Sequence, residues 1–245
     1  MKTKKLVALS FVLLCSIALQ SSFAGAELKD FLKGIGETFL GGGELSESTI
    51  VKGLKEALEI GSANAVQIVS RIDGYYKNPK ISIPLPDTVQ KVESVLRTVG
   101  YGPKVDAFKL SMNRAAERAA PEAKAIFLDA IKQITFSDAR KILQGRDNEA
   151  TLYFKDKTSG RLHELFKPIV RTAMSEVGVT RSYQELDAKV RSIPFAERLS
   201  FDLDEYVTNK ALDGLFFMVA EEERKIRQDP AARITDLLRK VFGSQ

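Results

Sequence analysis

Apolar residues recur along this chain at a helical spacing, and nowhere do they alternate with polar ones for long enough to build a sheet. Ser46 is placed to cap a long helix that runs to about Ile72, where Asp73 and Gly74 stop it. Asn78-Pro79 and Pro84-Leu85-Pro86 then exclude helix and leave an extended connector in which Ile81 and Ile83 alternate. Asp87 restarts the helical pattern, with Val89, Val92, Val95, Leu96 and Val99 on one stripe up to Gly100. Beyond Gly102-Pro103 a helix is expected over 105–119, and Pro121 opens the next, which carries Ala125, Ile126, Leu128 and Ile131. Ser137 is the expected cap of a short helix ending at Gly145. Further helices are expected over 148–155, 163–177, 182–190 and 202–228, with Pro230 opening a last one that reaches Phe242.

The run from Ala211 to Ala220 is apolar nearly all round, the mark of a helix surrounded by others. The fold class that follows is all-α: a single-domain multi-helix bundle over 45–243, with a central buried helix near 203–228. Asp213 falls inside the apolar run, and a lone buried carboxylate costs several kcal/mol. Lys210, three residues earlier on the same face, is its expected partner, and Asp213→Ala is expected to destabilise the fold.

The N-terminus follows a different rule. Lys2, Lys4 and Lys5 precede an apolar run from Leu6 to Leu19, and small residues follow at Ala24-Gly25-Ala26. This order is that of a secretory signal peptide over 1–26, with cleavage after Ala26 or, alternatively, after Ala24. The apolar run is shorter than the roughly 18 residues a spanning helix needs, so no transmembrane anchor is expected in the mature chain. Cys15 is not expected to be acylated, because the bulky Leu14 stands where a lipobox needs a small residue. Residues 27–44 form an amphipathic arm with a stripe of Leu28, Phe31, Leu32, Ile35 and Phe39, followed by the joint Gly41-Gly42-Gly43. Export places the protein in the periplasm, and the leader takes the only cysteine with it, so the fold must be held by a core rather than by disulfides.

Charge adds little. The whole chain carries a net +5, but three lysines leave with the leader and the remaining charges are interspersed. Nucleic acid is therefore not an expected partner. His163 is the only histidine, which excludes a multi-histidine metal site. His163-Glu164-Leu165-Phe166-Lys167 begins like a zincin helix but has lysine where the second ligand must stand. Gly34-Ile35-Gly36 lacks the third glycine of a dinucleotide fingerprint, and no G-x-S-x-G elbow accompanies a serine. The acidic groups Glu221-Glu222-Glu223 and Asp202/Asp204/Glu205 read as solvated faces, the second favoured at a helix start by the macrodipole. No catalytic, cofactor-binding or metal-ligating set is assigned, and no cofactor is expected.

Several blocks resemble a known family. They are Met112-Asn113-Arg114-Ala115-Ala116-Glu117, Ala130-Ile131-Lys132-Gln133, Thr135-Phe136-Ser137-Asp138-Ala139-Arg140 and Ala150-Thr151-Leu152-Tyr153-Phe154. The run from Tyr206 through Asn209-Lys210-Ala211-Leu212-Asp213-Gly214 to Phe216 and the later Asp229-Pro230-Ala231-Ala232-Arg233 belong with them. Together, from about Leu45 to Phe242, they resemble domain-of-unknown-function family 4197, exported proteins chiefly of Gram-negative bacteria. The resemblance implies a periplasmic or envelope-associated helical protein and brings no activity or catalytic residue. Within these blocks Asn113, Arg114, Lys132, Asp138, Arg140, Lys210 and Asp213 are polar residues that helices do not ordinarily need. They are the candidate polar cluster, with organisation of the bundle favoured over ligand binding.

Three functional readings follow. The first is a non-enzymatic interaction or structural module of the cell envelope, with an envelope protein as partner. The second is a carrier for an apolar or lipid-like ligand held between helices. The third is an acid/base enzyme, which requires a pocket gathering two carboxylates, or one carboxylate with His163. No oligomeric state is assigned.

Overall fold

In the computed structural model, the side-chain oxygen of Ser46 accepts from the backbone N–H of Thr49 and begins the first helix, α1 (Glu47–Ser70). The structure describes residues 46–176, 184–185, 188–189, 202–233 and 235–243. The expected leader, arm and joint, and most of the helix expected over 182–190, lie outside the described residues. By contacts the chain divides into 1–45 and 46–245, and the second unit is a bundle of helices with no strand among its described residues.

After α1 an irregular segment over 71–86 leads to α2 (Asp87–Thr98) and α3 (Gly102–Ala119). A 3-10 turn at Ala120–Glu122 leads into α4 (Ala123–Lys132), and α5 (Phe136–Gln144) follows. Two long helices, α6 (Glu149–Glu176) and α7 (Leu203–Gln228), run antiparallel, and α8 (Asp236–Gly243) closes the unit. Helix α7 packs along α6, α1 and α3, while α8 lies on α1. The core is centred on three rings: Phe127 lies 4.9 Å from Phe154 and 6.1 Å from Phe216 between centroids. Full burial of each such side chain contributes about 1.5–3 kcal/mol.

Four local expectations are corrected. The cap of α5 is Thr135, not Ser137: Thr135 and Asp138 form a reciprocal capping box, each side chain accepting from the other residue's backbone N–H. Helix α6 is continuous through Gly160, where two helices were expected. Buried Thr158 and Leu162 on either side of the glycine supply packing that outweighs its poor helix propensity. The last helix is two pieces, a 3-10 turn at Pro230–Ala232 and then α8. Glu222 and Glu223 are buried, at 6% and 8% exposure, rather than solvated.

Backbone groups of the irregular segment find partners on α3. Asn113 Oδ1 accepts from the Ile83 N–H at 2.8 Å, and its Nδ2 donates to the Ile83 carbonyl at 3.0 Å. Glu117, 4% exposed, accepts from the Tyr75 and Tyr76 N–H groups through Oε1 and from Arg114 through Oε2. Arg114 also reaches Asp73, whose φ of 66° lies in the left-handed region. The Tyr75 hydroxyl donates to the Ala211 carbonyl at 2.6 Å, and burial pushes its ionisation far up, so it stays protonated. Its ring lies against Gly214, where a Cβ would stand 2.6 Å from Tyr75 Cε1. Glycine at that point lets the connector lie directly on α7.

Candidate functional site

The polar residues singled out in the sequence do not converge. Asn113 and Arg114 hold the 71–86 segment. Lys132 is exposed beside Asp129 at 3.5 Å. Asp138 belongs to the α5 cap, where the Thr135 hydroxyl holds its carboxyl below the usual range. The Arg140 guanidinium lies 5.1 Å from the Phe136 ring centroid, and Lys210 lies 6.0 Å from that of Tyr206. Asp213 is exposed and makes no ion pair or hydrogen bond with the described residues. Its expected burial and its expected pairing with Lys210 are both corrected. The physical reason is the position of α7: it is central along most of its circumference, but Asn209, Asp213 and Phe217, four residues apart, form an edge open to solvent.

A groove lies on each side of that edge. On one side α7 faces α6 across a space of ≈ 350 Å³, with Ser159, Gly160 and His163 on one wall, Asn209 and Asp213 on the other, and Leu212 and Phe216 beneath. On the other side a space of ≈ 260 Å³ separates α7 from the connector at Ile81–Pro84, with Lys80 and Lys210 at its rim and Asp213 shared. Phe217, 39% exposed, lies beneath the Lys80 ammonium, 5.7 Å from ring centroid to Nζ, and Lys80 also pairs with Glu221 at 2.9 Å.

One end of the α6 groove carries an ordered charge network. Glu205 accepts from His163 Nε2 at 2.8 Å, from Lys167 Nζ at 2.9 Å and from Asn209 Nδ2 at 3.0 Å. Lys167 first, then His163 and Asn209, hold its carboxyl down at about 2. The same contacts raise the Lys167 ammonium above its ordinary value, with Glu205 the largest cause and Asp202 next. Asp202 also accepts from the Glu205 N–H and caps α7. A carboxylate bonded by three donors serves as an orienting group rather than a proton donor. Because a carboxylate only accepts, the bond to Glu205 places a proton on His163 Nε2.

This is the pairing of histidine and carboxylate that acid/base chemistry requires, with the exposed carboxylate of Asp213 in the same groove. A nucleophile is not joined to it. The Ser159 hydroxyl, one turn before His163, donates to the Lys155 carbonyl of its own helix rather than to the imidazole. Among the described residues no group of three or more histidine, cysteine or acidic side chains is placed to hold a metal, and no helix is long and apolar enough to cross a membrane.

The sequence missed three buried carboxylates, Glu117, Glu222 and Glu223, because partners of each are remote in the chain; Glu222 accepts from Asn64 Nδ2 at 3.2 Å. Glu117 has been described above. Glu223 accepts from the Ala150 N–H at 3.0 Å, from the Thr151 N–H at 2.9 Å and from the Thr151 hydroxyl at 2.8 Å. These are orphan donors at the start of α6. Arg227 completes the pair and donates to the Ile142 carbonyl near the end of α5. Nearby, Leu54, Phe154, Val219 and Phe242 line an apolar cavity of ≈ 20 Å³, room for about one water and not for an acyl chain.

No curated protein and no solved structure matches this chain. A family model does, over residues 44–243, and it takes in the bundle, the open edge of α7 and both of its grooves. The chain therefore belongs to the family described as Protein of unknown function (DUF4197).

Proposed function

We propose that this protein is exported to the periplasm and works there by binding, as a non-enzymatic interaction module of the cell envelope. The leader pattern of Lys2, Lys4 and Lys5, the apolar run to Leu19 and the small residues to Ala26 supports the destination. The observation that carries the binding role is the open edge of α7. This helix, packed along α6, α1 and α3, leaves Asn209, Asp213 and Phe217 uncovered between two grooves. The buried carboxylates Glu117 and Glu223 are occupied in holding the fold together, and Glu205 is occupied in orienting His163. The ≈ 20 Å³ apolar cavity is far below the few hundred Å³ of a ligand pocket and gives no support to a lipid carrier.

A photo-cross-linking side chain placed at Phe217 tests this in living cells, with one at exposed Lys157 on the outer face of α6 as control. Discrete adducts from position 217 and none from 157 are expected. Equal labelling at the two positions, or none at 217, refutes the edge as a working surface. Osmotic-shock release of a mature form beginning at Glu27, or at Gly25 for the alternative cut, tests the destination. A chain retained in the cytoplasm with Met1 intact refutes it.

A further inference from the structure

We infer that the groove between α6 and α7 binds a small zwitterion with an apolar body, the chemistry of an amino acid or of a short peptide with free termini. This rests on the open edge of α7 being the working surface, and it names what one flank of that edge takes.

The first argument is space that packing does not need. Gly53 and Gly214 are explained by their surroundings: a Cβ on the first would collide with Val241, and one on the second with Tyr75. Gly160 is not explained in this way. It sits in the middle of a long helix, where glycine costs about as much as any residue but proline, and a Cβ there would meet nothing within 4 Å. The gap it leaves opens onto the groove, as glycine does where a backbone is approached closely by a ligand.

The second argument is charge. Lys155 and Asp213 both line the groove, both are exposed, and neither side chain is paired with a described residue. Helices α6 and α7 are antiparallel. Between the contacts of His163 with Glu205 and of Thr151 with Glu223, Asp213 therefore stands level with the turn of α6 that carries Lys155 to Gly160. A ligand carrying only negative charge meets Asp213, and one carrying only positive charge meets Lys155. A ligand with both satisfies both.

The third argument is orientation. His163 is locked by Glu205 at the end of the groove, and its Nδ1, an acceptor in the neutral ring and a donor in the charged one, is left to meet a polar group of the ligand. Leu212 and Phe216, 7% and 6% exposed, form an apolar floor for the body of the ligand. A space of ≈ 350 Å³ is at the small end of ligand sites, which suits an amino acid or dipeptide.

The single histidine makes the experiment direct, because one imidazole resonance reports on the groove. The protein as the cell processes it is titrated near neutral pH, with the His163 Cε1–H signal followed by NMR. The probes are L-alanyl-L-phenylalanine, its N-acetyl derivative and its C-terminal amide. The free dipeptide is expected to shift the signal saturably at about millimolar concentration, as an open groove allows. Each blocked derivative is expected to bind about fivefold more weakly, the loss of one exposed charge contact. Asp213→Asn should weaken the free dipeptide by the same factor and leave the N-acetyl form unchanged. Gly160→Leu should abolish the shift, with a thermal midpoint no lower than the parent's confirming the fold.

No saturable shift, equal binding of all three probes, or parental affinity in Asp213→Asn overturns the inference. Cross-links at Phe217 without a dipeptide response would overturn the ligand class alone. Absence of both would remove the edge as well.

Discussion

Glu223→Ala should be among the most damaging single substitutions in this fold. Glu223 is 8% exposed, and its partner Arg227 has a side chain only 10% exposed. The substitution removes the acceptor for two backbone N–H groups at the start of α6 and for the Thr151 hydroxyl. It also leaves the Arg227 guanidinium with the α5 carbonyls but no counter-charge. Breaking a buried pair from one side costs about 3–5 kcal/mol, and the stranded donors place this case near the middle of that range. At roughly 2–4 °C per kcal/mol for a domain of this size, the thermal midpoint falls by about 8–16 °C. Glu223→Gln keeps the shape and one acceptor oxygen, so about half that loss is expected.

Urea unfolding followed by far-UV circular dichroism, with the midpoint confirmed by calorimetry, measures both variants. A cycle with Arg227→Met separates the pair from its surroundings. The double variant should lose at least about 1 kcal/mol less than the two single variants added together. A loss below about 1 kcal/mol for Glu223→Ala, or strict additivity in the cycle, would refute the reasoning that this pair joins α5, α6 and α7.

The two helical glycines near the candidate site should respond in opposite directions. Gly214→Ala drives a methyl into the Tyr75 ring and should cost about 1–3 kcal/mol, whereas Gly160→Ala fills open space and should gain about 1 kcal/mol; matching shifts in urea midpoint would sink the contrast. Stability should also respond to acid through Glu205. Its folded pKa of about 2 lies below the ordinary 4.5, so its contribution is complete above pH 4.5 and is lost as pH falls through 2. Acid titration of thermal midpoints for the parent and Glu205→Gln should show the gap between them narrowing over that window, and a gap undiminished at pH 2 would contradict the network.

Helix positions were legible wherever the signal was local. Ser46 caps α1 as its place before an apolar-periodic run implied, and Asp87 lies in the first turn of α2 as expected. The helical class itself rests on the same short-range periodicity. The α5 cap was misplaced although its signature was present, because Thr135 and Asp138 stand at capping-box spacing. The gap expected between 155 and 163 is filled for a different reason: α6 is fixed by burial on both sides of Gly160, which outweighs the low helix propensity of one residue.

Asp213 shows what periodicity cannot supply. A helix that is apolar nearly all round still has a side its neighbours do not cover, and which side depends on tertiary packing. Glu223 is the converse case, an acid in a charged run whose partners lie more than 70 positions earlier in the chain. The candidate groove was visible only as His163 and a demand for a carboxylate nearby. Glu205 meets that demand through the antiparallel pairing of α6 with α7.

The way Asn113 holds Ile83 has a consequence for self-association. Extended backbone normally exposes a row of donors and acceptors onto which another chain can add as a strand. Asn113 gives Ile83 both bonds that a neighbouring strand would give, an acceptor for its N–H and a donor for its carbonyl. Pro79, Pro84 and Pro86 remove three further donors from the same stretch. The turn-free end of the connector, 82–86, therefore lacks the adhesive edge of a strand, and the non-helical segment of an all-helical protein offers no template for intermolecular β-pairing there.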